Sequence, residues 1–226
     1  MVVGHGSCEN DPVMRTLTIL RLVWLAVVCA GLQPVLADTN AVPAVQPDRY
    51  LLLVDTSEPM SKRSRAVQEA VTRLLASGMQ SQMRDGSELA VWTYDSDLHT
   101  GEIPLIRWRE DQRNEITRQV LEFLDTRPHA GETHFDRVLP DLMDVVRESR
   151  RLTVIWFSDG DEVVTGMPFA EAIRAYFVEN AKEMASRKVP FITVLRGWHG
   201  RLVDYKISYP PWPVEFPEFP PEPPPK

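Results

Sequence analysis

Asp55 and Ser57 stand two positions apart at the end of an apolar run, Leu51-Leu52-Leu53-Val54, and a helical pattern follows at once. Such a run reads as a buried parallel strand, and polar groups at its carboxyl end stand where open α/β sheets bind ligands. Two further loops offer matching chemistry. Ala130-Gly131-Glu132-Thr133-His134-Phe135 places a threonine just before a helix, and the apolar run Leu152 to Phe157 ends at Ser158-Asp159-Gly160, with Asp161 and Glu162 behind it. The hydroxyls of Ser57 and Thr133 and the carboxylates of Asp55 and Asp159, converging from separate loops, make an octahedral oxygen site of the kind magnesium favours. Ser61 adds a hydroxyl to the first loop. A set without His or Cys is poor for zinc.

The elements that position these loops alternate between strand and helix. Tyr50 to Asp55, Leu89 to Tyr94, Leu152 to Phe157 and Phe191 to Leu195 read as strands, and Leu202 to Tyr209 as an edge strand. Ile103 to Trp108 reads as an antiparallel neighbour of the second strand. Helices are expected from Arg63 to Gly78, from a cap at Asp111 to Asp125, from Phe135 to Glu148 and from Phe169 to Arg187. The fold class expected is α/β: a doubly wound, mostly parallel sheet flanked by helices, with one antiparallel edge strand. Asp95-Ser96-Asp97 reads as a charged turn, and Trp92, Trp108 and Trp156 as core.

Asp55-Thr56-Ser57-Glu58-Pro59-Met60, Gly131-Glu132-Thr133 and Phe157-Ser158-Asp159-Gly160 together resemble the three motifs of a von Willebrand factor type A domain, over residues 48–208. The resemblance implies a Rossmann-like fold and a metal-ion-dependent adhesion site. In that site Ser57 and Thr133 ligate Mg2+ (or Mn2+ or Ca2+) directly, Asp55 and Asp159 hold its waters, and an acidic side chain of a protein partner completes the shell. Two positions depart. Pro59 stands where the family has its second serine and offers neither hydroxyl nor N–H, and Glu132 stands where the family often has glycine. The site is therefore expected to be degenerate. A metal-free interaction face of the same fold is the alternative.

Catalysis finds little support. No Gly-x-Ser-x-Gly elbow surrounds Ser57, and no phosphate-cradling glycine loop follows the first strand. Haloacid-dehalogenase-like phosphatases carry Asp-x-Asp at such a strand end, but Ser57 replaces the second aspartate. The expectation is a binding module rather than an enzyme, with a metal-dependent hydrolase or phosphatase as the alternative class.

Composition bounds the setting. Of 226 residues, 1–37 read as an amino-terminal extension and a secretory signal, with Arg15 and Arg21 ahead of an apolar stretch and Val35-Leu36-Ala37 at the cut. A periplasmic or secreted protein is expected; an uncleaved leader would instead anchor it in a membrane. Both cysteines, Cys8 and Cys29, fall upstream of the cut, so no thiol or disulfide is expected in the mature chain. The net charge of −7 falls on the mature part, which makes duplex nucleic acid and anionic membranes poor partners. Residues 38–47 read as a linker, and 209–226 as a proline-rich tail, extended in polyproline II or disordered, whose Trp212, Phe216 and Phe219 face a partner.

Overall fold

The computed structural model describes residues 46–222; the expected leader, both cysteines and the linker up to residue 45 lie outside them. Seven strands form one sheet: β1 (Arg49–Asp55), β2 (Glu88–Tyr94), β3 (Leu98–His99), β4 (Ile106–Arg107), β5 (Arg151–Ser158), β6 (Phe191–Trp198) and β7 (Arg201–Ser208). Their order is β3-β2-β1-β5-β6-β7, with β4 also paired to β2. β1 lies at the centre, parallel to both β2 and β5, so that Leu53 stands opposite Trp92 on one side and Trp156 on the other.

The unbroken apolar run of β1 follows from that place. Leu52 and Val54 face one core layer, with helix α1 (Ser64–Ala76) and helix α2 (Arg113–Asp125) above them. Leu51 and Leu53 face the other, beneath α3 (Phe135–Glu148) and α4 (Ala170–Arg187). Each leucine so buried contributes ~1.5–3 kcal/mol. The helices bury one stripe each: Val67, Ala70, Val71, Leu74 and Leu75 in α1, and Phe135, Val138, Leu142 and Val146 in α3. The chain is thus a doubly wound, mixed α/β sheet with helices on both faces.

Both margins of the sheet are antiparallel, more than the single edge strand expected. β3 and β4 run against β2, β6 against β5, and β7 against β6. β6 reverses because of the segment before α4. After Ser158 the chain passes through residues 159–169, placing Phe169 against Tyr205 of β7 with ring centroids 5.1 Å apart. Helix α4 then brings it back, and Phe191 enters the sheet directly opposite Ser158. Among the described residues no helix is long and apolar enough to cross a membrane.

Two local expectations change. Asp111 does not cap α2, because its carboxylate takes two bonds from Arg109, at 3.0 and 2.9 Å, while Gln112 stands at the helix start. The tail does not stand free. Val214 and Phe216 pack on the α1/α2 core layer, Gln80 donates to Val214 O at 2.6 Å, and Glu215 N–H donates to Ser208 Oγ at 2.9 Å. The anchor is Arg196 of β6, only 2% exposed. Its guanidinium donates to Pro217 O at 2.7 Å, to Gln82 Oε1 at 2.5 Å and to Thr153 Oγ1, with Phe219 at 4.3 Å and Phe216 at 5.3 Å. A buried guanidinium needs acceptors and ring faces, and proline carbonyls supply acceptors even though prolines cannot donate. Phe216 and Phe219 are therefore spent on the protein's own fold, and Trp212 alone of the three is largely exposed, at 62%.

Candidate metal centre

Asp55 ends β1 with its side chain wholly buried, and its Oδ1 accepts the Ser57 N–H at 2.7 Å. This Asx-type bond turns the chain out of the strand and into a short 3-10 helix, Glu58–Arg63. Ser57 is buried beside it. The second loop is tied to the first by backbone bonds: Ala130 N–H to Thr56 O at 3.1 Å and Glu58 N–H to Gly131 O at 3.2 Å. Gly131 lies at φ +70°, where a Cβ would fall 2.5 Å from Ser96 Oγ, so glycine lets that turn close. Thr133 Oγ1 is thereby set 3.1 Å from Asp55 Oδ2 and 2.9 Å from Ser57 Oγ. Three of the four expected residues thus meet directly.

Asp159 follows β5 and is buried, with its Oδ1 accepting the Asp161 N–H at 3.1 Å and Arg63 lying 3.7 Å from its Oδ2. It joins the others through carboxylates: oxygens of Asp55, Asp159 and Glu162 all lie within 4.8 Å of one another. Glu162 was not among the four expected donors. It is 4% exposed, takes the Tyr94 hydroxyl at 3.1 Å on Oε1 and the Gly160 N–H at 3.1 Å on Oε2. Trp156 Nε1 donates in turn to the Tyr94 oxygen at 2.7 Å. Gly160, at φ +91°, makes the inward turn, and a Cβ there would meet the Phe191 ring at 2.5 Å.

The sequence carried a faint sign of this, an acidic Asp159-Gly160-Asp161-Glu162 turn before an apolar pair. No periodicity tells which of its carboxylates turns inward. Arg63 was likewise unforeseen, since the helical pattern gives it no partner. Ser61, offered as a further hydroxyl, is exposed, and its carbonyl accepts from Ser64 Oγ.

The electrostatics follow from burial. Desolvation pushes Asp55 from the usual 3.8 up to about 6, partly opposed by the bonds from Ser57 and Thr133. Desolvation also raises Asp159 and holds Glu162 well above the usual carboxylate range, with Asp55 and Asp159 adding repulsion to Glu162. Tyr94 is pushed up by the same burial. The three buried carboxylates repel one another, and Arg63 pairs with Asp159.

No protein-family model matches the chain, and no curated protein matches it. Among solved structures it is similar to a von Willebrand factor type A protein from Catenulispora acidiphila, with 17% identity over 61% of this chain and a TM-score of 0.39. The aligned part spans 31% of that structure's chain.

Proposed function

We propose that the protein is an exported protein-binding module whose loops at the carboxyl end of the sheet are organised around a divalent cation, Mg2+, Mn2+ or Ca2+. The observation that carries the reading is the convergence of Asp55, Asp159 and Glu162 within 4.8 Å, with Ser57 and Thr133 bonded into the same cluster. The donor set suits such an ion, since all its atoms are hard oxygens. Oxygens on opposite sides of magnesium lie about 4.2 Å apart, and around calcium about 4.6–5.2 Å, so either ion spans the observed separation. Burying uncompensated carboxylates is costly, and a divalent cation relieves that repulsion. Asp55, Ser57, Thr133, Asp159 and Glu162 would hold it, and its charge would fix the three loops in one arrangement.

The reading assigns no catalysis. Ser57 Oγ is paired with Thr133, and neither group activates a nucleophile. A nucleic-acid partner is not proposed for a chain of net charge −7. A metal-free interaction face is the second reading, favoured by Arg63, whose guanidinium already offsets part of the charge at Asp159.

Calorimetric titration with MnCl2 tests the proposal. The parent should give saturable heat, and Asp159→Ala should lose it while keeping its far-ultraviolet circular dichroism. Silence of the parent at millimolar Mn2+ would leave the metal-free face. Turnover of a generic aryl phosphate with Mg2+, abolished in Asp55→Asn, would replace the binding reading by the hydrolase one.

A further inference from the structure

Resting on the metal reading above, we infer that Glu162 closes the cation's shell from within. The ion is then a clasp for this chain's own loops, and not an open anchor for a partner's carboxylate. Pro59 offers the first loop no hydroxyl, so another group must complete the donor set. Glu162 is the group positioned to do so. Its carboxylate is buried, within 4.8 Å of those of Asp55 and Asp159, and both of its oxygens are held, by Tyr94 Oη at 3.1 Å and Gly160 N at 3.1 Å. The Tyr94 hydroxyl is itself fixed by Trp156 Nε1 at 2.7 Å. Such outer hydrogen bonds orient ligands in metal sites. Together with Ser57, Thr133, Asp55 and Asp159, Glu162 would bring this chain's oxygen donors to five, close to what a six-coordinate ion can take directly or through its waters.

Charge points the same way. Three carboxylates, the Arg63 guanidinium and a divalent ion sum to no net charge, whereas a fourth carboxylate from a partner would leave an uncompensated anion in a buried site. The rim repeats the message, because Glu58, Glu132 and Asp161 are all exposed beside the three loops. In this reading the shell needs no acidic side chain from a partner. What the ion holds instead is the segment from Asp159 to Phe169, whose Val164 and Met167 are buried in the α3/α4 core layer.

Calorimetry with MnCl2 on the full chain, with and without sodium acetate as the external carboxylate, decides this. In the parent, acetate should leave the Mn2+ affinity unchanged. Glu162→Gln should weaken it by about 10- to 100-fold, the range typical of disturbed metal shells, and acetate should recover part of that loss. Tyr94→Phe, which frees Glu162 Oε1 but leaves Oε2 on Gly160 N–H, should weaken binding by about tenfold or less and serves if Glu162→Gln does not fold. Tightening of Mn2+ binding by acetate in the parent would overturn the inference alone. So would unchanged affinity in a folded Glu162→Gln. A parent that gives no heat with Mn2+ overturns the metal reading and the inference together.

Discussion

Asp55 concentrates the physics of the site, because the bonds that position it work against the burial that disfavours its charge. Its carboxyl is raised to about 6 in the fold, against 3.8 in an open chain. The folded state therefore holds this proton more tightly than the unfolded one. The stability it contributes is fully present below about pH 4 and is lost as pH rises through about 6. In EDTA, the melting temperature of the parent should fall by a few degrees relative to Asp55→Asn between those limits, since about 1 kcal/mol moves a domain of this size by 2–4 °C. A constant difference across the window would contradict the argument. Gly160 makes a second case. Alanine there must adopt φ +91° and push its Cβ to 2.5 Å from Phe191. Gly160→Ala should destabilise by on the order of 3 kcal/mol, read by urea denaturation, and should impair Mn2+ binding because Asp159 and Glu162 flank the turn.

At the level of elements, the tail behaves as part of the domain. Removing residues 210–226 would deprive Arg196 of Pro217 O and of both phenyl rings. An unsatisfied buried charged donor costs about 1–3 kcal/mol or more, and each lost cation–π contact up to about 2 kcal/mol. The truncated chain should melt at least several degrees below the parent, and an unchanged melt would show that the tail contributes nothing. Phe219→Ala should give a smaller loss in the same direction, because it removes the ring shared by Arg196 and Arg151 but keeps Pro217 O. The left-handed turn Gly78–Ser81 supports this dock. Met79, Gln80 and Ser81 hold φ of +51°, +57° and +63°, at about 1–2 kcal/mol each. Fully buried Met79, and Gln80 bonded to Val214 O, offset that strain.

For the molecule as a whole, a cation that binds only the folded state should act as a general stabiliser. At one hundred times its dissociation constant, Mn2+ should add about 2.7 kcal/mol, or roughly 5–11 °C in the melt, with no such shift in Asp159→Ala. Export is tested separately. Intact mass of the secreted product should place Asp38 at the amino end, and recovery of the uncleaved chain in the membrane fraction would favour the anchored form.

The elements themselves were legible in the chain. Unbroken apolar runs and period-3.6 patterns depend on local sequence alone, so β1, α3 and β5 fell within a residue or two of their observed bounds. That Asp55, Ser57, Thr133 and Asp159 lie close together was legible as well, because loops at the carboxyl end of such sheets converge by topology. The reversal of β6, the inward turn of Glu162, the Arg63–Asp159 pair and the docking of Phe216 and Phe219 on Arg196 were decided only in three dimensions. Each depends on a contact between segments far apart in sequence or on a glycine at positive φ. Local propensity records that a residue is acidic, basic or aromatic; only tertiary packing settles whether its charge or ring faces water or another part of the chain.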